Sequence, residues 1–257
     1  MNIKLQATAL FTLVQHELNR MLRIYTQVFL PPVITTLLYF LIFGTIMGQR
    51  IGFLHGVSYA MFIAPGLIIM AIITNAYSNV SASVFIARFQ RSIEELYASP
   101  LHPHLLLLGY VLGGILRGCI VAVLVFFVAT WFMGFHAQHW LIAMFVTVLI
   151  AALFALAGFA NGLLASNFEE LSFVPTFILS PLAYLSGIFY SVEMLPLFWQ
   201  NLSHFNPMFY MVALMRYALI GTHEVNVAVA LCAISALVLS LVLLNMILIK
   251  KGRGRHS

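Results

Sequence analysis

FIARFQRSIEELYASPLHP, residues 85–103, lies between two long apolar runs and is the internal segment that combines charge, helical periodicity and a proline stop. Phe85, Phe89, Ile93 and Leu96 recur at i, i+4, i+8 and i+11, which puts them on one face of a helix. Arg88, Arg91, Glu94 and Glu95 point away from that stripe, with Arg91 one turn before Glu95. Pro100, directly after Ser99, and Pro103 end the segment, because proline removes a backbone donor and clashes with the preceding turn. The pattern predicts a short helix on a membrane surface, its apolar side in the headgroups and its charges offered to a partner in water.

The runs on either side set the class. The 257 residues are 63% hydrophobic and only 7% charged, with a mean hydropathy of +1.04, which excludes a soluble globule. Apolar stretches of about 18 residues or more recur, each long enough to cross the hydrocarbon core. All seven acidic residues are Glu. The net charge of +5 is dispersed except in the tail KKGRGRHS, so it reports orientation and contact with anionic lipid, not nucleic acid. Cys119 and Cys232 fall inside apolar runs, so neither a disulfide nor a metal site is expected. Residues 1–27 show no small-residue cleavage site after an early apolar core, and no signal peptide is expected.

One all-helical membrane domain, residues 1–257, follows, with six spans at about 28–48, 59–83, 105–133, 140–164, 173–192 and 227–249. Ahead of them, Leu10, Leu13, Val14, Glu17, Leu18, Met21, Leu22 and Tyr25 mark one side of an amphipathic helix along the interface, with Arg20 and Arg23 placed to snorkel. That helix reads equally as an anchor or as a partner contact. Pro31 and Pro32 are expected in the first turn of span 1. Asn75 and Asn79, one turn apart in span 2, need partners in lipid, either as packing contacts or as the lining of a substrate path.

Span 3 carries Gly109, Gly113, Gly114 and Gly118, two small-xxx-small spacings for close helix contact. Arg117 sits among them. Snorkelling towards the cytosol is its default reading, and a cavity site facing an anionic head group is the alternative. Gly158 and Gly162 repeat the small-residue spacing in span 4, and Pro175 and Pro181 interrupt span 5. Residues 193–226 are too broken to span. Asn206 and Pro207 there read as the cap and first residue of a short helix over 208–220. Glu193 and Arg216 are two of few outer charges and are expected to pair.

With both termini inside, Lys4, Arg20, Arg23, Arg88, Arg91, Lys250, Lys251, Arg253 and Arg255 fall on the cytosolic side and only Arg50 and Arg216 outside. The positive-inside rule selects that topology, and Trp131, Trp140 and Trp199 then meet the outer interface.

Three function classes compete. A secondary transporter needs carboxylates or histidines within the membrane, and the seven Glu residues read as lying at or beyond span ends. For a membrane enzyme or haem protein, the nine His fall in loops or interfaces, and neither HExxH nor GxSxG occurs. The third class is a path driven from outside the chain. No GxxxxGK[ST] loop is present to cradle ATP phosphates, so such a path needs a docked motor.

Three pieces in series carry a resemblance: IEELYASPLHP at 93–103, YLSGIFYSVEMLP at 184–196 and HFNPMFYMVALMRYAL at 204–219. Together they resemble the permease subunits of ABC-2 type exporters of the bacterial inner membrane. The resemblance implies two permeases and two separate cytosolic ATPase subunits that bind ATP-Mg, with no cofactor on this chain. The small-residue faces of the spans and the two-fold symmetry that oligomers favour make a second copy of this chain, a homodimer, the expected permease pair. The resemblance gives the loop between spans 2 and 3 the role of a coupling helix, carried by Arg88, Arg91, Glu94, Glu95, Ser99 and Pro100. It makes Ser186, Gly187, Phe189, Tyr190, Glu193, Asn206, Pro207 and Arg216 the signature of short helices re-entering the outer leaflet. Asn75, Asn79 and Arg117 are the candidates for the path. The apolar lining and the lack of a large glycan-binding loop favour an amphiphile or drug over a polymer as cargo. A channel or scaffold without ATP drive is the competing reading.

Overall fold

Residues 3–90, 102–134 and 137–251 are described by a computed structural model of the chain. Helix α1, Ile3–Arg23, packs along a later span instead of lying free. Leu13 and Glu17 meet the faces of Gly109 and Gly113, Met21 is buried, and Leu22 and Tyr25 of the expected stripe are exposed. After a break at Ile24, α2 runs Tyr25–Ile51 and includes a stretch of wider, π-type turns at Phe40–Met47. Pro31 and Pro32 therefore lie inside this helix and not in its first turn. The helix starts earlier than the apolar run, at Tyr25 directly after Ile24.

A two-residue hairpin, β1 Phe53–Leu54 paired with β2 Val57–Ser58, turns the chain through His55 and Gly56, both at positive φ. Such a turn matches the twist of short antiparallel strands. Ser58 then caps α3, Tyr59–Phe89, accepting from the Met61 N–H. This helix outruns the predicted boundary at 83 and takes Phe85, Arg88 and Phe89 with it. The remaining coupling residues, Arg91, Glu94, Glu95, Ser99 and Pro100, lie outside the described residues.

Helix α4, Pro103–Met133, starts on Pro103 and stops at Gly134 in the left-handed conformation. Helix α5 is Trp140–Leu164. The glycines explain how α3, α4 and α5 approach so closely. A Cβ on Gly114 would meet Val80 at 2.5 Å and Ala155 at 2.8 Å, and one on Gly162 would meet the Ser81 carbonyl oxygen at 2.7 Å. Small residues let helix backbones touch where lipid supplies no hydrophobic drive. Of the long helices, α3 is the most enclosed, and α2 and α10 are the least.

The chain is then helical from 168 to 185: α6 Phe168–Val174, a wider-turn stretch Pro175–Leu179 and α7 Ser180–Leu185. It ends before the predicted 192, because Gly187 takes φ +77° and turns the backbone. A 3₁₀ turn Val192–Met194, α8 Leu197–Phe205 and α9 Pro207–Ile220 follow. Asn206 caps α9 as its sequence implies, accepting from the Met208 N–H at 3.0 Å. Helix α10, Val227–Lys250, closes the bundle. Among the described residues five helices, α2, α3, α4, α5 and α10, are long and apolar enough to cross a bilayer.

Candidate functional site

Where α1, α3 and α4 meet, the apolar packing gives way to a polar cluster. Glu17 projects from α1 with 2% of its surface exposed. Its carboxylate accepts from Arg20 Nη2 at 2.8 Å and from Ser83 Oγ at 2.6 Å, and exposed His16 places Nδ1 3.8 Å away. Arg20 also donates to the Asn79 backbone oxygen and to Asn79 Oδ1, at 3.1 and 3.0 Å. Arg117 completes the cluster from α4. Its Nε and Nη2 donate to Asn75 Oδ1 at 3.3 and 3.2 Å, and its Nη1 donates to Asn79 Oδ1 at 3.3 Å.

Arg117 does not snorkel. It turns inward to the two α3 amides, because Gly114 and Gly118 bring α4 close enough to α3 for the fork to reach them. Asn75 also donates back to the Ala71 carbonyl at 3.0 Å, so both ends of its amide are used. Arg20 binds Glu17 and Asn79 and keeps 30% of its side chain exposed. The cluster joins the three sequence candidates Asn75, Asn79 and Arg117 and adds Glu17, Arg20 and Ser83, which sequence reasoning missed. A signal was present: Glu17 interrupts an otherwise apolar stripe at the helical spacing of Leu13, Val14, Leu18 and Met21.

Arg117 and Asn75 face a cavity of about 320 Å³ between α2 and α3, whose other polar lining includes Gln27, Thr35, Thr74 and Ser78. A second cavity, about 230 Å³, lies on the far side of Thr74 and Ser78 against Pro175–Leu179. The Thr74–Ser78 turn of α3 therefore separates two hollows within the bundle.

At the opposite end, Arg216 is 1% exposed. Its partner is Glu224, 3.1 Å away, and not Glu193, which is exposed. The chain reverses at Gly221, φ +75°, and that turn returns Glu224 to α9. Arg216 also donates to the carbonyls of Phe62 and Gly187 and stacks over the Phe62 ring at 3.7 Å. Of the predicted signature residues, Gly187 bonds it directly, and Ser186, Phe189, Tyr190 and Asn206 make their own local contacts. Ser186 is fully buried and bonds the Ala183 carbonyl. Phe189 packs on Tyr39 and Phe43 and accepts from Tyr59 Oη at 2.8 Å. Tyr190 Oη donates to the Tyr184 carbonyl, and Asn206 donates to that of Leu182. This assembly fixes a shape; it holds no reactive pair.

Arg88 departs from its expected place as well. It does not offer its charge to water but is buried at the base of α3, donating to the carbonyls of Gly162 and Ala165 at 3.2 and 2.9 Å and to that of Leu163. Those are the unsatisfied oxygens at the end of α5, where a cation also complements the helix dipole.

The family model for the ABC-2 type transporter matches residues 8–220, from within α1 to the end of α9. The chain belongs to the ABC-2 type transporter family. It is 46% identical over 241 residues to the inner membrane transport permease YadH of Escherichia coli K12, covering 94% of each chain. It is 26% identical over 188 residues to nodulation protein J of Rhizobium leguminosarum bv. viciae, covering 72% of this chain and 71% of that one. As an ABC-2 permease, it is a multi-pass membrane protein whose family match takes in the polar cluster and Arg216 and stops short of Glu224.

Proposed function

We propose that this chain is the transmembrane subunit of an ATP-driven exporter of the inner membrane, moving an amphiphile or drug outward from the cytosol or inner leaflet. Two copies of the permease and two separate cytosolic ATPase subunits form the working unit, and the ATPases bind ATP-Mg. Residues 1–257 act as one transmembrane domain with both termini cytoplasmic, as the distribution of Lys and Arg favours. Membrane lipid surrounds it, and nucleic acid has no part.

The observation that carries this reading is the polar-lined cavity beside α3 in an ABC-2 family chain without a phosphate-cradling GxxxxGK[ST] loop. Such a path needs a motor, and Arg91, Glu94 and Glu95, ended by Ser99 and Pro100, are its contact. Arg88 anchors the base of that segment to α5. The short helices between 186 and 220 re-enter the outer leaflet and shape the exit, held by Arg216.

The test is affinity purification of the tagged permease from its native membrane. Recovery of an ABC ATPase, whose hydrolysis rises when the pair is placed in liposomes with candidate amphiphiles, supports the proposal. Recovery of the permease alone, with cargo flux that needs no nucleotide, favours a channel.

A further inference from the structure

Two guanidinium groups, Arg20 and Arg117, share the polar cluster with a single carboxylate, Glu17. That carboxylate is engaged by Arg20 and Ser83. Among the described residues no carboxylate lies within 4.0 Å of Arg117. Its three bonds, at 3.2–3.3 Å, go to neutral amide oxygens, which leaves two of its five N–H groups for another acceptor. An Arg within a span normally pairs, snorkels or faces a wet cavity. Arg117 takes the third course, and its cavity is otherwise lined by neutral side chains.

The lining combines two chemistries. Asn75, Thr74, Ser78 and Gln27 offer hydrogen bonds, and Leu67, Met70 and Pro31 supply an apolar wall. Thr35, Thr74 and Ser78 are exposed in the single chain, so the hollow is open. A planar fork with two free donors suits a tetrahedral or planar oxyanion, and the wall beside it suits a hydrocarbon chain.

We infer that Arg117 is the seat of an intramembrane anion site, taking the phosphate, sulfate or carboxylate head of an amphiphile whose tail lies against the α2–α3 wall. The site deepens the reading of this cavity as part of the cargo path, and rests on it for why the ligand is there. The binding itself needs no ATPase. Asn79 Oδ1, shared by Arg20 and Arg117, ties α1 to the same site.

The test uses the purified full chain in phosphatidylcholine nanodiscs, with equilibrium binding of radiolabelled dodecyl phosphate corrected against empty discs. Dodecyl maltoside and inorganic phosphate serve as competitors. Saturable binding that resists dodecyl maltoside and weakens about ten-fold or more in Arg117→Gln is expected, the loss of one charge-assisted contact. Arg50→Gln, which removes an exposed charge at the far end of α2, should bind as the parent does. Asn75→Asp keeps the α3–α4 contact and supplies an internal anion, so it should also abolish binding even if Arg117→Gln fails to fold. Unchanged binding in Asn75→Asp or in a folded Arg117→Gln overturns the site. Equal competition by inorganic phosphate at matched concentration overturns the amphiphile. Either failure, read on the permease alone, leaves the purified ATPase complex to decide the exporter reading separately.

Discussion

Arg216 shows what one residue can hold together. Its guanidinium links α9 to Glu224 beyond the Gly221 turn, to the Phe62 carbonyl and ring on α3, and to the Gly187 carbonyl. Removing it leaves a mostly buried carboxylate and two carbonyls without their donor. Arg216→Gln is expected to destabilise the fold by about 3–5 kcal/mol, the usual cost of stripping one partner from a buried pair. Arg216→Lys should recover little, because one ammonium cannot serve acceptors on three sides of a planar fork. Melting of the detergent-solubilised variants tests this, and parental stability in Arg216→Gln would refute it. Sequence alone marked Arg216 but chose the wrong acid, since Glu193 and Glu224 are equally plausible by charge count. Only the backbone turn at Gly221 separates them. The Asn206–Pro207 cap was legible because its partners are two residues away. The Glu17–Ser83 bond was not, because it joins elements 66 residues apart.

Among the elements, the α3–α5 seam is the tightest. Gly158 sits so close to α3 that an added Cβ would overlap the Tyr77 carbonyl oxygen, and Gly162 stands against Ser81 and Val84. Because the obstacle is backbone, no rotamer change can relieve it. Gly158→Ala should therefore cost about 1–3 kcal/mol through overpacking. Gly48→Ala, in α2 with the Phe43 carbonyl oxygen 3.6 Å from the new Cβ, should be neutral or gain about 0.5–1 kcal/mol from better helix propensity. Comparing the two melting temperatures in one detergent checks the contrast, and an equal response would show that the seam yields. The GxxxG spacing was readable from sequence, as were the long apolar helices, because both depend on local periodicity. Where α3 ends was not. Its last turn is stabilised by Arg88 on carbonyls of α5, 74 or more residues away, so a hydropathy boundary at 83 stops short. The helix at 168–185 likewise ends where Gly187 turns, ahead of the last apolar residue.

For the whole molecule, the proposed function requires that work done by a cytosolic ATPase reach the cavity. Arg88 fastens the C-terminal end of α3 to α5, and the same α3 carries Ser83, Asn79, Asn75, Ser78 and Thr74 in successive turns towards the two hollows. Helix α3 is also the most enclosed long helix of the bundle. On the proposed reading, a push delivered beyond the Arg88 end of α3 acts on a rod whose stretch from Leu67 to Ser78 lines the cavity, and close-packed interiors transmit such displacements. The charges that receive the push on the proposed reading are Arg91, Glu94 and Glu95. Reversing Glu94 and Glu95 to Lys together should abolish cargo-stimulated ATP hydrolysis by the reconstituted complex, while the permease still inserts and purifies as the parent does. Arg88→Gln should behave differently: it frees carbonyls at the end of α5 and lowers the melting temperature even without the ATPase present. Hydrolysis rates and melts on the same preparations separate coupling from folding. Full stimulation in the Glu94/Glu95 double reversal would mean that the motor grips some other part of the permease.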